Sequence, residues 1–301
     1  MSTRNALVTG GTGFVGSNLC RRLFNDGWSV HVIAIQNDNF SQLQDLLDAV
    51  TIHVHDGTTE SMVNIVTAAK PKVVFHLASL FLSEHVVDDI SRLITSNVLF
   101  GAQLLEAMTA SGISEIVNTG TSWQHYENKP YSPVNLYAAT KQAFEDILQY
   151  YVEAKHISAI TLKLFDTYGP NDPRPKLFHL LNRVATENIP LAMSPGEQLI
   201  DLVHIDDVIN AFAIAAQHLL RAEVIGHEIY GVSSGNPISL KELVALYEQV
   251  VGGKISIEWG GREYRYREVM VPCSDLRTIY GWIPAIDLKN GIHNIASCRI
   301  I

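Results

Sequence analysis

The chain has 301 residues, of which 47% are hydrophobic and 18% charged, and its formal net charge is −9. That apolar content is enough to bury a sizeable core and excludes global disorder, and the length suits one large α/β domain or two unequal lobes. An acidic balance without a basic block argues against a nucleic-acid partner.

Met1–Asn5 lead straight into Ala6-Leu7-Val8-Thr9, which reads as a strand, and Phe14 to Asn25 reads as a helix. A secretory signal needs a longer apolar stretch at this point, and no apolar run reaches the roughly 18 residues that span a bilayer. The expected compartment is therefore the cytoplasm, with no membrane partner. Further strands are expected at Val30–Ile35, Lys72–Leu77, Glu115–Asn118 and Ser158–Leu164, with helical patterns between them, clearest at Ser91–Ser111 and Leu136–Ala154. Alternating strands and helices, with the strands apolar throughout, predict a parallel sheet covered on both faces: a Rossmann-like, doubly wound α/β fold. After residue 165 the texture changes. Tyr168–Pro175 is dense in turn formers, and helices follow near Asp206–His218 and Ser239–Val251. The expected organisation is a dinucleotide-binding domain over 1–165, to which about 201–235 returns, and a smaller C-terminal substrate-binding lobe made mainly from 166–301. Cys20, Cys273 and Cys298 are odd in number and widely spaced, and the histidines show no metal-ligand spacing, so neither a disulfide frame nor a metal site is expected.

The first strand runs into Thr9-Gly10-Gly11-Thr12-Gly13-Phe14-Val15-Gly16. Glycines 10, 13 and 16 fit GxxGxxG, and glycines 11, 13 and 16 fit GxGxxG. In either reading the glycines permit a tight turn and let the backbone approach a pyrophosphate, which the free N–H groups of the helix N-terminus would hold. An acid about 20 residues beyond the last glycine would bind the adenosine ribose diol and favour NAD. Gln36-Asn37 stand there instead, and the first acid is Asp38. A neutral site does not repel a 2′-phosphate, so NADP(H) is the expected cofactor, with NAD(H) as the alternative.

Tyr137-Ala138-Ala139-Thr140-Lys141 is a YxxxK. Spacing of four on a helix puts both side chains on one face. An ammonium close to a phenol favours the phenolate, so Lys141 is expected to lower the Tyr137 pKa from about 10 and let it exchange a proton with a substrate hydroxyl or carbonyl. The pair lies one strand after Val117–Ser122, where hydroxyls cluster at a strand's C-terminal end, the place where doubly wound sheets bind ligands.

With these motifs the sequence resembles the extended short-chain dehydrogenase/reductases, almost end to end. The resemblance implies an NAD(P)-dependent enzyme acting on a nucleotide sugar. It places the cofactor against Gly10, Gly11, Thr12, Gly13, Phe14, Val15 and Gly16, and against Gln36 and Asn37. Asp56 and Gly57 match the segment near the adenine, and Leu77, Ala78 and Ser79 follow the HLA strand end that begins at His76. Asn97 matches the asparagine of the central helix, and Thr119, Tyr137, Lys141 and Phe165 complete the cofactor set. Leu164–Pro170, Asp201–Val208 and Tyr280–Pro284 resemble the family's F-N-x-Y-G-P, D-x-x-H-V-x-D and L-G-W-x-P segments. The third catalytic hydroxyl is Thr121 when counted from Ala107-Met108, the preferred register, and Ser122 when counted back from Tyr126. Substrate contacts are expected from Trp123, Asp166 and Arg267, although Asp166 replaces the family's asparagine. Ile200 replaces the family's diphosphate arginine, which leaves Arg267, with Arg262 and Arg265 close by, as the diphosphate cation.

The sugar 4,6-dehydratases of this family carry an acid pair directly after the catalytic hydroxyl; here Ser122-Trp123-Gln124-His125 follow Thr121, which disfavours dehydration. The stretches Asn118–Tyr126, Pro133–Tyr137 and Arg267–Met270 look most like the bacterial CDP-4-keto-3,6-dideoxyhexose reductases of surface-polysaccharide synthesis, the abequose and paratose synthase group. An NADPH-dependent 4-ketoreductase of a deoxysugar is therefore expected, with an NAD-dependent 4-epimerase as the enzymatic alternative and a catalytically silent dinucleotide-binding regulator as the non-enzymatic one. The resemblance also implies a homodimer formed through the helix carrying YxxxK and the helix before it.

Overall fold

The computed structural model describes residues 4–187 and 189–297. Seven parallel strands make the central sheet: β1 (Asn5–Thr9), β2 (Ser29–Ile35), β3 (Thr51–His55), β4 (Val73–His76), β5 (Glu115–Thr121), β6 (Ser158–Leu164) and, after four short strands, β11 (His227–Val232). Their order is β11-β6-β5-β4-β1-β2-β3. The order reverses between β1 and β4, and in sheets of this kind ligands bind outside the strand ends at such a reversal.

Alternation along each strand sends side chains to opposite faces. Ala6 and Val8 of β1 pack with α1 (Phe14–Asn25) and α7 (Ile205–Leu220). Leu7, between them, packs with α2 (Thr59–Ala69), α4 (Phe100–Ala110) and α5 (Leu136–Lys155). Both faces are covered, which is why the central strands are mostly apolar on both sides. A third apolar cluster, built on Phe178, Leu181, Tyr247 and Ile292, joins α6 (Leu177–Glu187), α8 (Leu240–Val251) and α9 (Leu288–Ser297). The short strands β7 (Asp166–Tyr168), β8 (Leu191–Met193), β9 (Leu199–Ile200), β10 (Leu202–His204), β12 (Ile238–Ser239) and β13 (Ile257–Trp259) pair two by two around it.

The helix expected over Ser91–Ser111 is not regular. It divides into α3 (Asp89–Ile94), a π-helical turn over Thr95–Leu99, and α4. β5 runs three residues beyond the expected Asn118, to Thr121. Among the described residues no helix is long and apolar enough to cross a membrane. Cys20 and Cys273 are free thiols; Cys298 lies outside the described residues.

β1 and β4 are locked together at their ends. Thr9 pairs with His76 in the ladder. The Thr9 hydroxyl accepts from the N–H groups of Leu77 (3.2 Å) and Ala78 (3.1 Å), so its single proton is donated to His76 Nδ1, 2.9 Å away. His76 is 1% exposed. Burial, with Lys141 adding repulsion, depresses its pKa to about 3. An unfolded histidine takes up a proton below about 6.5, whereas the folded one resists until about pH 3. Folding stability from this site is thus present at neutral pH and declines as the pH falls from 6.5 towards 3, by at most about 1.4 kcal/mol per pH unit. In an NMR titration of the imidazole carbons, the His76 signal should stay flat from pH 7.5 to 4.5; a midpoint near 6.5 would refute the buried neutral assignment.

Candidate active site

The β1–α1 turn is built for close backbone approach. Gly10 has φ +70°, and a Cβ on it would lie 2.7 Å from the Ala78 nitrogen. On Gly16 a Cβ would fall 2.1 Å from the Gly10 carbonyl oxygen. Both positions therefore require glycine, and a Cβ on Gly11 would also crowd the Val32 side chain at 2.7 Å, whereas Gly13 has room for one. α1 begins at Phe14 after Gly13, with no side-chain cap and no acid in its first turn. The amides and partial positive charge of this terminus are left for an anion. Thr12 and Val15 are half-buried around the turn, while Phe14 is buried. At the far side the Thr119 hydroxyl is buried without a hydrogen-bond partner. A bare helix terminus, a glycine cradle and an orphaned hydroxyl at neighbouring strand ends fit a dinucleotide, and Gly10–Gly16, Leu77–Ser79 and Thr119 are the residues that would hold it.

At the end of β2, Gln36 and Asn37 are exposed, and the Asp38 carboxylate folds back to accept from the Ile35 N–H at 3.0 Å. Asp56 is exposed at the end of β3 and accepts from the Thr58 N–H (2.9 Å) and hydroxyl (2.7 Å), which hold its carboxyl below the usual range. The Gly57 carbonyl accepts from Gln103 Nε2 at 2.9 Å.

Asn97 explains the π-turn. It is 1% exposed, and its Oδ1 accepts from the Leu80 N–H (2.7 Å) and the Ser79 hydroxyl (3.2 Å). Its Nδ2 donates to the Leu80 carbonyl (3.0 Å) and to the Thr140 hydroxyl (2.9 Å). Every polar atom is satisfied, and one side chain ties the loop after β4 to α5. Such single π-turns recur at functional sites. The N-cap of α5, Asn135, accepts from the Ala138 N–H (2.9 Å) and donates to the Ser83 carbonyl (2.9 Å), pinning the same loop from the other end.

Tyr137 and Lys141 stand one turn apart on α5. The Tyr137 ring meets Phe81 edge-on, with centroids 5.0 Å apart, and Phe81 lies 5.7 Å from the Trp123 ring. The expected lowering of the Tyr137 pKa is not what this environment gives. Burial pushes the phenol up to about 12, and the Ser79 hydrogen bond and Arg174 only partly offset it. Desolvation wins because the phenolate would be formed among protein atoms. Lys141 is 1% exposed; burial lowers its pKa to about 8, Glu145 pulls it back up, and Lys163 pushes it down.

Beside the pair opens a cavity of about 460 Å³. Ser122, Trp123, Phe165 and Asp166 line it, whereas Thr121, Tyr137, Lys141 and Arg267 are not on its wall; Tyr137 borders it through the Phe81 ring. Thr121 ends β5 and its hydroxyl caps the following 3₁₀ turn, accepting from the Trp123 N–H at 3.3 Å. Arg267 stacks over the Tyr126 ring at 4.2 Å and donates to the Ser132 hydroxyl at 2.7 Å. The cations that do line the cavity are Arg174, Lys176 and Arg265. Arg174 is bonded to both oxygens of Asp172, and Arg265 to both oxygens of Glu268. Lys176 has the Phe81 ring at 5.5 Å and no ion pair among the described residues. Burial lowers its pKa, against an upward pull from Asp166; burial in turn holds the Asp166 carboxyl above its usual range.

Arg174 and Lys176 were missed by sequence reasoning, which read Tyr168–Pro175 only as turn formers. Two basic residues flanking Pro175 were the available signal. Asp201 and Asp207, from the resembling segments, act on the fold: Asp201 accepts from the Ser234 N–H (2.8 Å) and hydroxyl (2.7 Å), and Asp207 from the N–H groups of Ala285 (2.9 Å) and Ile286 (3.0 Å).

Residues 6–230 match the model of the NAD dependent epimerase/dehydratase family. The chain is similar to the CDP-abequose synthase of Salmonella typhimurium, at 27% identity over 96% of each chain. It is also similar to the UDP-glucose 4-epimerase of Mycolicibacterium smegmatis, at 26% identity over 95% of each. The solved Bacillus cereus UDP-glucuronic acid 4-epimerase, in complex with UDP-glucuronic acid and NAD, shares the fold with a TM-score of 0.85 at 24% identity, covering 97% of this chain and 98% of that one. A family match across the whole dinucleotide turn and the YxxxK helix, on a seven-stranded Rossmann-like sheet, is decisive: the chain belongs to the NAD dependent epimerase/dehydratase family, that is, to the extended short-chain dehydrogenase/reductases.

Proposed function

We propose that this chain is an NADPH-dependent 4-ketoreductase of a nucleotide-linked deoxysugar, with residues 1–165 and about 201–235 forming the cofactor lobe and the rest of 166–301 the substrate lobe. The observation that carries the reading is the composition of the wall beside Tyr137. Phe81 and Trp123 offer aromatic surface where a fully hydroxylated sugar would need polar partners, so deoxygenated carbons suit it. Gln124, at one of the positions where a dehydratase carries its acids, is fully buried and turned away from the cavity. The similarity to a CDP-abequose synthase over nearly the full chain points the same way.

A nicotinamide held in this cradle would supply the hydride for the C4 carbonyl carbon. Tyr137 gives its proton to the carbonyl oxygen. The phenol is protonated at neutral pH, the state a donor to a keto group needs. Ser122, on the cavity wall where Thr121 is not, hydrogen-bonds the same oxygen. Lys141 would hold the ribose of the nicotinamide. Lys176, which has no ion pair among the described residues, faces the substrate diphosphate together with Arg265, in place of Arg267. Exposed apolar residues along the helix before α5, Ile90, Ile94 and Leu99, and Tyr150 on α5 itself form the proposed homodimer face.

Tyr137→Phe should lower turnover about 10²–10⁴-fold with cofactor binding nearly unchanged, because only the hydroxyl is lost. Ser122→Ala should lower it far more than Thr121→Val. Full activity in Tyr137→Phe would end the mechanism. Fluorescence titration should show tighter binding of NADPH than of NADH, as expected for exposed, neutral Gln36 and Asn37. Tightly retained NAD, with C4 epimers equilibrating without net reductant, would install the epimerase instead. Binding with no turnover of any nucleotide sugar would favour the regulator. Light scattering should give a dimer at micromolar concentration, and a monomer would remove the assigned face.

A further inference from the structure

A buried ion pair lies behind the cavity. Lys163 on β6 and Glu145 on α5 are 1% and 3% exposed, and the ammonium reaches both carboxylate oxygens at 2.6 Å. Glu145 is one helical turn beyond Lys141 and two beyond Tyr137. Its Oε1 also accepts from Gln124 Nε2 at 2.9 Å. Gln124 completes the chain: Nε2 donates to Gln142 Oε1 (2.8 Å), and Oε1 accepts from the Thr121 N–H (3.0 Å). The two residues between Thr121 and Gln124 are Ser122 and Trp123, both on the cavity wall. The space is filled to the limit. A Cβ on Gly120 would lie 2.6 Å from Lys163 Cδ, 3.0 Å from Glu145 Oε1 and 3.1 Å from Gln124 Oε1.

A buried ion pair is poor evidence of stability, since well-packed apolar residues of similar volume commonly serve as well or better. What apolar residues cannot do is hold a neighbouring amide in one orientation. Resting on the reductase reading, we propose that Gln124, anchored by the Glu145–Lys163 pair, is a positioning residue that fixes the Ser122 turn relative to Tyr137 and Lys141. The same carboxylate that receives Lys163 sits on the helix carrying the proton donor. The glutamine it orients closes the turn carrying the second hydroxyl. Hydroxyl and phenol are thereby set on one rigid frame, and a displacement of about 1 Å at such a site is enough to lose much of the rate.

The test uses the full chain with NADPH bound. Gln124→Leu removes the link and leaves the ion pair intact. Glu145→Leu with Lys163→Met removes both charges together, leaving neither buried alone; it carries the test if Gln124→Leu fails to fold. Hydrogen exchange should speed up at the amides of Thr121–His125 while β6 stays protected. In the same variants kcat should fall ~10-fold or more with KM for the nucleotide sugar within about twofold, the pattern of an interaction that matters for the chemical step rather than for binding. Unchanged exchange across Thr121–His125 overturns the proposal, whatever the activity. Faster exchange with unchanged kcat overturns it too, by reducing the pair to a structural role. If the wild-type protein turns over no nucleotide sugar, the reductase reading fails separately, and the exchange measurement alone decides whether Gln124 anchors this turn.

Discussion

The approach of the Gly10 backbone to Ala78 is the constraint on which the site is built. β1 lies inside the sheet with β4 on one side and β2 on the other. Its outgoing turn must bend over the end of β4 with no room for a Cβ. The Thr9 hydroxyl, shared by two amides and His76, holds that approach together from within. Because the turn sits low against the sheet, the first turn of α1 points its free amides across the strand reversal, where charge on a ligand meets the helix dipole.

From this frame outward, hydrogen-bonded asparagine side chains place the reacting residues. Asn97 interrupts a helix with a π-turn and spends all its hydrogen bonds on the loop after β4 and on Thr140, one residue before Lys141. Asn135 caps α5 and grips the same loop. These contacts are directional, unlike apolar packing, and a partly satisfied version would be worse than none. They explain why a sheet with apolar cover on both faces still carries several buried amides beside its ligand-facing end.

The electrostatics of the cavity follow the same economy. Arg174 and Arg265 are held by Asp172 and Glu268, which orients their guanidinium planes and mutes their charge. Asp166 and Lys176 face the cavity with burial acting on each to disfavour its charged form and each supporting the other's charge. An asparagine in place of Asp166, the residue the family resemblance leads one to expect, would remove the larger of the two carboxylate supports for that lysine, the other being Asp172. The departure at 166 and the lysine at 176 thus belong to one arrangement.

The residues by themselves determined the alternating architecture, the glycine turn and the spacing of Tyr137 from Lys141, because these depend on local periodicity and on conformations only glycine adopts. Phe14–Asn25 and Ser158–Leu164 appear at the expected bounds for that reason. Three placements were set only by the tertiary structure. Thr121 and Ser122 differ by one position where a strand gives way to a 3₁₀ turn, and a one-residue step at such a junction sends a side chain to the other face. Arg267 is adjacent in sequence to the cavity residue Glu268, yet it is turned onto Tyr126 and Ser132, more than a hundred residues away in the chain. The rise of the Tyr137 pKa, against the fall expected from its lysine, comes from desolvation by burial. Spacing along a helix records which charges are near, but how much water is removed from a phenol is set by segments that meet only when the chain has folded.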